Sequence, residues 1–130
     1  MNREIKFRVW DKKVYKSMFI VEGLGKTWVS FGVDDGEGGY LEQRKVEDVE
    51  LMQYTGLLDK NGKEIYEGDV LYKFGIDDAP YEVKYGVQPI SHEWLGIGFY
   101  TEHLGEMGNI FGGEEIEVIG NIYENPELLN

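Results

Sequence analysis

The strongest constraint in this chain is its punctuation. Short segments with an apolar side chain at every second position are cut off, one after another, by Gly, Asp or Asn. Period two sends alternate side chains to opposite faces of a strand, so each segment suits a sheet with one buried face. Ile5, Phe7 and Val9 alternate with Lys6, Arg8 and Trp10, Asp11-Lys12-Lys13 forms a polar turn, and Val14 to Val21 makes the return strand of a hairpin. Gly23 and Gly25 break that strand, and Thr27 to Val33 starts another. Asp34 to Gly39 is acidic and Gly-rich, has nothing to bury, and is expected as an exposed loop. Val46, Val49 and Leu51 lead into a strand through Thr55, although Glu42 to Leu51 also carries a partial helical period.

The centre carries the sharpest local signal. Asn61-Gly62, between polar neighbours, tolerates positive φ at both positions and predicts a tight hairpin. Glu67-Gly68-Asp69 predicts a second turn, launching Val70 to Phe74. Tyr81 to Tyr85 alternates strictly, Leu95 to Tyr100 is a strand loosened by two glycines, and Glu117 to Tyr123 closes the series. Gly120, inside that last strand, predicts a bulge or a close backbone approach. Asn125 with Pro126 and Glu127 predicts one terminal helical turn. Many short strands parted by such turns point to a barrel or sandwich. The expected fold is mainly β: an SH3-like small barrel in the C-terminal half, about residues 57–124, with additional N-terminal strands packed on it and at most short helical turns. A length of 130 residues fits one domain, 1–130, with room for a core that needs no staples.

Composition removes several functional classes. There is no Cys, which excludes disulfides, thiolate catalysis and thiolate zinc sites. The opening residues lack the apolar stretch of a signal peptide, and no apolar run approaches the roughly 20 residues of a membrane helix, so a cytoplasmic protein with no membrane partner is expected. Net charge is −12 and uneven. Residues 1–16 hold six Lys or Arg against two acids, whereas the 46 residues after Lys84 hold eight Glu and no cation. A field of that sign repels nucleic acid, keeps the protein soluble and favours a basic partner.

Three segments carry a family likeness: Ile5-Lys6-Phe7-Arg8-Val9-Trp10-Asp11 at the start; Leu51-Met52-Gln53-Tyr54-Thr55-Gly56-Leu57 continuing through Asp59 to Val70; and Val118-Ile119-Gly120-Asn121-Ile122-Tyr123 continuing through Leu129. In these blocks the chain resembles the YopX family of phage and prophage proteins. The resemblance implies a β-rich accessory protein working in the cytoplasm of a bacterial host. It supplies no activity and no catalytic residue. Gly56, Gly62, Gly68 and Gly120 fit turn and bulge positions, while Tyr54, Ile65, Tyr66, Val70 and Ile122 fit core or rim. A functional alternative has Gln53, Tyr54, Thr55 and Glu67 lining a groove.

Residues that could carry chemistry fail on spacing. His92 and His103, beside Glu93 and Glu102, match no helix face, and consecutive Ser91-His92-Glu93 cannot converge as a triad. Asp59, Asn61 and Lys63 imitate a calcium loop, but Lys63 takes a ligand position and Glu64 the obligatory Gly. No enzyme, cofactor or metal is expected. The leading expectation is a non-enzymatic interaction module whose acidic face, including Glu114, Glu115 and Glu117, meets a host or phage protein, in the sharper version by imitating nucleic-acid phosphates. The alternative is a nucleic-acid-binding barrel using Lys6, Arg8 and Trp10 on one face of the first strand, where basic groups and a stacking ring would meet a single strand. The bland reading of that strand is an edge whose cations block aggregation. Aromatic residues such as Trp28, Trp94, Phe99 and Tyr100 suggest a homo-oligomer.

Overall fold

The computed structural model describes residues 5–73, 80–89, 95–101, 105–106 and 116–129. The chain divides into two compact units, Met1–Tyr54 and Thr55–Asn130. Both are built from antiparallel strands, as the period-two pattern requires, and the only helical elements among the described residues are two 3-10 turns, Val46–Asp48 and Pro126–Leu129.

In the first unit, β1 (Phe7–Asp11), β2 (Ser17–Leu24), β3 (Trp28–Val33), β4 (Tyr40–Lys45) and the start of β5 (Val49–Leu58) form a sheet in the order β4-β3-β2-β1-β5. β1 is therefore a central strand, paired with β2 through Val9↔Phe19 and with β5 through Val9↔Leu51. The expectation that it is a blunted edge is corrected: its cations flank a ladder on both sides. The glycine at 23 bulges β2 instead of ending it, because the register with β3 shifts between Val21 and Gly23. Paired residues share a face, so Val9, Val29, Phe31 and Val49 fall together and form the buried cluster, flanked by Tyr15, Phe19, Val21, Val33 and Leu51. Phe19 and Phe31 stack with centroids 4.5 Å apart. Each such aromatic pair adds about 0.5–1.5 kcal/mol beyond its area.

The partial helical period after Glu42 is overridden. Tyr40–Lys45 is a strand paired along its whole length with β3, and only Val46–Asp48 turns. Tertiary pairing outweighs a weak local preference.

In the second unit, the end of β5 pairs with β6 (Glu64–Tyr66) across the expected Asn-Gly hairpin, where Gly62 has φ 81°. β7 (Asp69–Lys73) pairs with β8 (Tyr81–Glu82) on one side and β12 (Ile116–Asn121) on the other. β9 (Lys84–Pro89), β10 (Leu95–Thr101) and β11 (Gly105–Glu106) form a further sheet in the order β11-β10-β9. One residue, Val83, separates β8 from β9; its N–H donates to the Asp69 carbonyl and its carbonyl accepts from Gly68. Ile65, Leu71, Val83 and Ile116 form this unit's core. Among the described residues the strands of this unit form open antiparallel sheets whose pairings end at β11 and β12.

The Gly120 expectation is met twice. The β7–β12 register shifts between Val118 and Gly120, and a Cβ at 120 would lie 2.5 Å from Asn125 Oδ1. That oxygen accepts from the Asn121 N–H, which holds the terminal 3-10 turn against the bulge.

Candidate functional site

Asp11 shows how this sequence uses its carboxylates. It ends β1 fully buried, and its two oxygens accept from the backbone N–H of Lys13 and of Tyr15, folding the turn that follows. The same carboxylate faces Arg44 on β4, whose Nε lies 3.3 Å from Oδ1. Arg44 Nη1 also donates to Glu42 Oε2 at 2.7 Å, and its guanidinium sits 5.5–5.6 Å from the rings of Phe31 and Tyr15. Burial alone would raise the Asp11 pKa, but the Tyr15 amide and Arg44 outweigh it and lower it overall. The Tyr15 hydroxyl shares a 2.5 Å hydrogen bond with Tyr40, which with burial and Glu42 pushes its pKa up to about 12. Arg44 thus bridges two carboxylates, Asp11 and Glu42, and fixes β4 to β1 and the turn beyond it.

Asp59 does the same in the second unit. Oδ1 accepts from the Asn61 and Lys63 amides at 2.8 and 2.9 Å, and Oδ2 from the Val118 amide at 3.0 Å. Burial pushes its pKa up, and these three bonds with the Lys63 charge bring it below the ordinary value. The apparent start of a calcium loop is thus a turn organiser. Asp69 likewise accepts from the Tyr66 amide.

The open features lie on β4, the edge strand of the first unit's sheet. Tyr40 and Leu41 are exposed there, Leu41 at 62%. A cleft of about 470 Å³ sits at this end of the β3–β4 hairpin, lined by Glu22, Gly32, Asp34, Gly39, Tyr40 and Leu41 among others. Above it runs the acidic loop, exposed as expected and also organised: Asp34 accepts from the Gly36 amide, and Asp35 from those of Glu37 and Gly39. The last two bonds lower the Asp35 pKa, so its carboxylate stays ionised. At the opposite end of β4 a second cleft, about 430 Å³, is lined by Lys26, Thr27, Lys45, Val46 and Glu47.

The sequence-selected residues fare unevenly. Arg8 and Trp10 do share a face of β1, with Lys6 just before it, but Arg8 is only 7% exposed, and all three are engaged in interactions within the protein. A guanidinium so placed offers little to a phosphate backbone. Lys12 and Lys13 pair with Glu50 and Asp48, so the basic opening of the chain is largely neutralised by β5 and the turn before it. Glu117 lies half-buried on β12 and accepts from Asn61 Nδ2, while Glu114 and Glu115 are outside the described residues, as are Ser91, His92, Glu93, Glu102 and His103. Tyr54 and Thr55 are buried instead of lining an open groove, and the Thr55 hydroxyl donates to the Ile65 carbonyl. Among the described residues no three His, Asp or Glu side chains are grouped to hold a metal, and no helix is long and apolar enough to cross a membrane. The β4 edge and its two clefts escaped sequence reasoning because β4 itself did.

No curated protein matches this chain. Among solved structures it is similar to protein EF1440 from Enterococcus faecalis, at 27% identity and a TM-score of 0.64, over 99% of this chain and 100% of the other. The family model described as YopX protein matches residues 6–130, from the first strand through the terminal turn. The chain belongs to the YopX family.

Proposed function

We propose that this YopX-family chain is a non-enzymatic protein-interaction module that uses an acidic surface to hold a basic protein of its bacterial host or phage, in the host cytoplasm. The observation that carries the reading is the fate of the cations. Arg44, Lys12 and Lys13 are engaged with acids of their own unit, whereas Asp34, Asp35 and Glu37 stand exposed on an ordered loop above an open cleft. Charge so displayed steers a partner of opposite sign. The buried carboxylates speak for a structural role: Asp11 and Asp59 have lowered pKa values, opposite to what a general acid at neutral pH needs. We read the second unit as an SH3-like small barrel, since Val83 joins its two three-stranded sheets into the continuous order β12-β7-β8/β9-β10-β11.

The test is affinity capture from host lysate, with and without nuclease, using the wild type and an Asp34→Asn, Asp35→Asn, Glu37→Gln variant that keeps the acceptor atoms of the loop. A protein captured in both lanes, released by salt and lost from the variant supports the reading. Capture that survives neutralisation refutes it. Recovery that vanishes with nuclease moves the function to nucleic acid and to Lys6, Arg8 and Trp10.

A further inference from the structure

Among the described residues β4 is an unpaired sheet edge whose two ends differ in charge: Glu22 and Asp34 line the cleft at the Tyr40 end, and Lys26 and Lys45, with the single acid Glu47, line the cleft at the other. An antiparallel copy of the same edge presents the opposite sequence of charges, so the best-matched occupant of this edge is the edge itself. We infer that β4 pairs with β4 of a second copy about a two-fold axis at Gln43, joining the two first-unit sheets into one. Two-fold pairing of this kind is isologous, each residue meeting its counterpart across the axis.

The register follows from faces and charges. A two-fold axis perpendicular to the sheet keeps each side chain on its own face, so only residues of like parity can stand opposite each other. An axis at Glu42 would oppose two glutamates, and one at Arg44 two arginines. The axis at Gln43 sets Gln43 against Gln43, Glu42 against Arg44, and Leu41 against Lys45. Glu42 and Arg44 already form a 2.7 Å ion pair within one copy, and across the axis the same two charges build a network of four. On the opposite face, Leu41 is 62% exposed and Trp28, the β3 neighbour of Lys45, is 49% exposed. The methylenes of Lys45 would lie between the two apolar groups while its ammonium reaches toward the acidic end. Inward charges and lysines ordinarily guard an edge against pairing; here they are self-complementary and admit one register.

The inference does not depend on capture of a basic partner and is tested without one. The chain has no Cys, so any disulfide in a single-Cys variant links two copies. Directly opposite residues have Cα atoms roughly 4.5–5.5 Å apart, within the roughly 4.4–6.8 Å a disulfide spans. Under mild oxidation Gln43→Cys should yield at least about tenfold more covalent dimer than Leu41→Cys or Lys45→Cys alone, and the latter two, mixed, should link to each other. Sedimentation of the unmodified protein over a range of concentrations should show a monomer–dimer equilibrium. A monomer at every concentration overturns the inference, as does a dimer in which Gln43→Cys fails to link or links no better than the other positions.

Discussion

Replacing Asp59 by Ala should be among the most damaging changes at any polar side chain in the second unit. Its carboxylate receives three backbone N–H groups, from Asn61, Lys63 and Val118. Two of these belong to exposed turn residues, where water can take over, and their loss costs about 0.5–1 kcal/mol each. The third is a half-buried amide in β12, and stranding it costs about 1–3 kcal/mol. The expected loss is therefore about 2–5 kcal/mol, a large part of the stability of a domain. Asp59→Asn keeps an acceptor for the turn but can set an amide NH₂ against the Val118 N–H, so it should lose about half as much. The pH dependence has a definite sign. The folded pKa lies below the ordinary 3.8, so this stabilisation is complete above that value and is lost as pH falls through the lower folded pKa. Urea unfolding followed by far-UV circular dichroism, at neutral pH and in steps through the acid range, measures both effects. A loss under about 1 kcal/mol for Asp59→Ala, or an acid dependence as steep as that of the wild type, would show that β12 is not anchored through this carboxylate.

Gly120→Ala should destabilise by about 1–3 kcal/mol and loosen the terminal turn, seen as faster amide exchange at Leu128, because the new Cβ collides with Asn125 Oδ1 and with Leu128 Cδ1 at 2.8 Å. The Tyr15 hydroxyl, raised to about 12, favours the folded state fully below the ordinary value of 10, and that contribution fades as pH climbs through 12. Tyr40→Phe should return one tyrosine toward its ordinary pKa in a spectrophotometric titration; an unchanged titration curve would dissolve the pair.

Much of the fold is written locally. The Asn61-Gly62 hairpin, the Gly120 bulge and the Pro126 turn each rest on the conformational habits of one or two residues, and they fall where those habits place them. What is not local is which strand neighbours which. Arg8 and Trp10 lie on one face of a strand, with Lys6 just before it, yet nothing within β1 says that β5 will lie beside it and help bury Arg8. β4 was hidden because Glu42 and Arg44 occupy inward positions, so its alternation places charges where an apolar stripe is expected; only Asp11, more than thirty residues earlier, makes sense of Arg44. The same gap hid the β4 edge and its clefts, since an edge exists only once the strand order is set. Glu117 was chosen for its charge, and its role in bracing Asn61 depends on a pairing with the far end of the unit.

The pairing of β7 with β12 joins Asp69 to Asn121 and puts Ile116 at the centre of the second unit's core. On the ribosome, this has a temporal meaning. The first unit has all its strand partners once residue 53 has emerged, whereas β7 waits with one flank bare for β12 to be synthesised. During that interval an unpaired strand and half a core are on offer to any other chain, which is when loops of high contact order are most prone to misassemble. A premature stop between Lys73 and Ile116 would make that waiting state permanent, leaving β7 without its β12 partner behind a first unit that has all of its own.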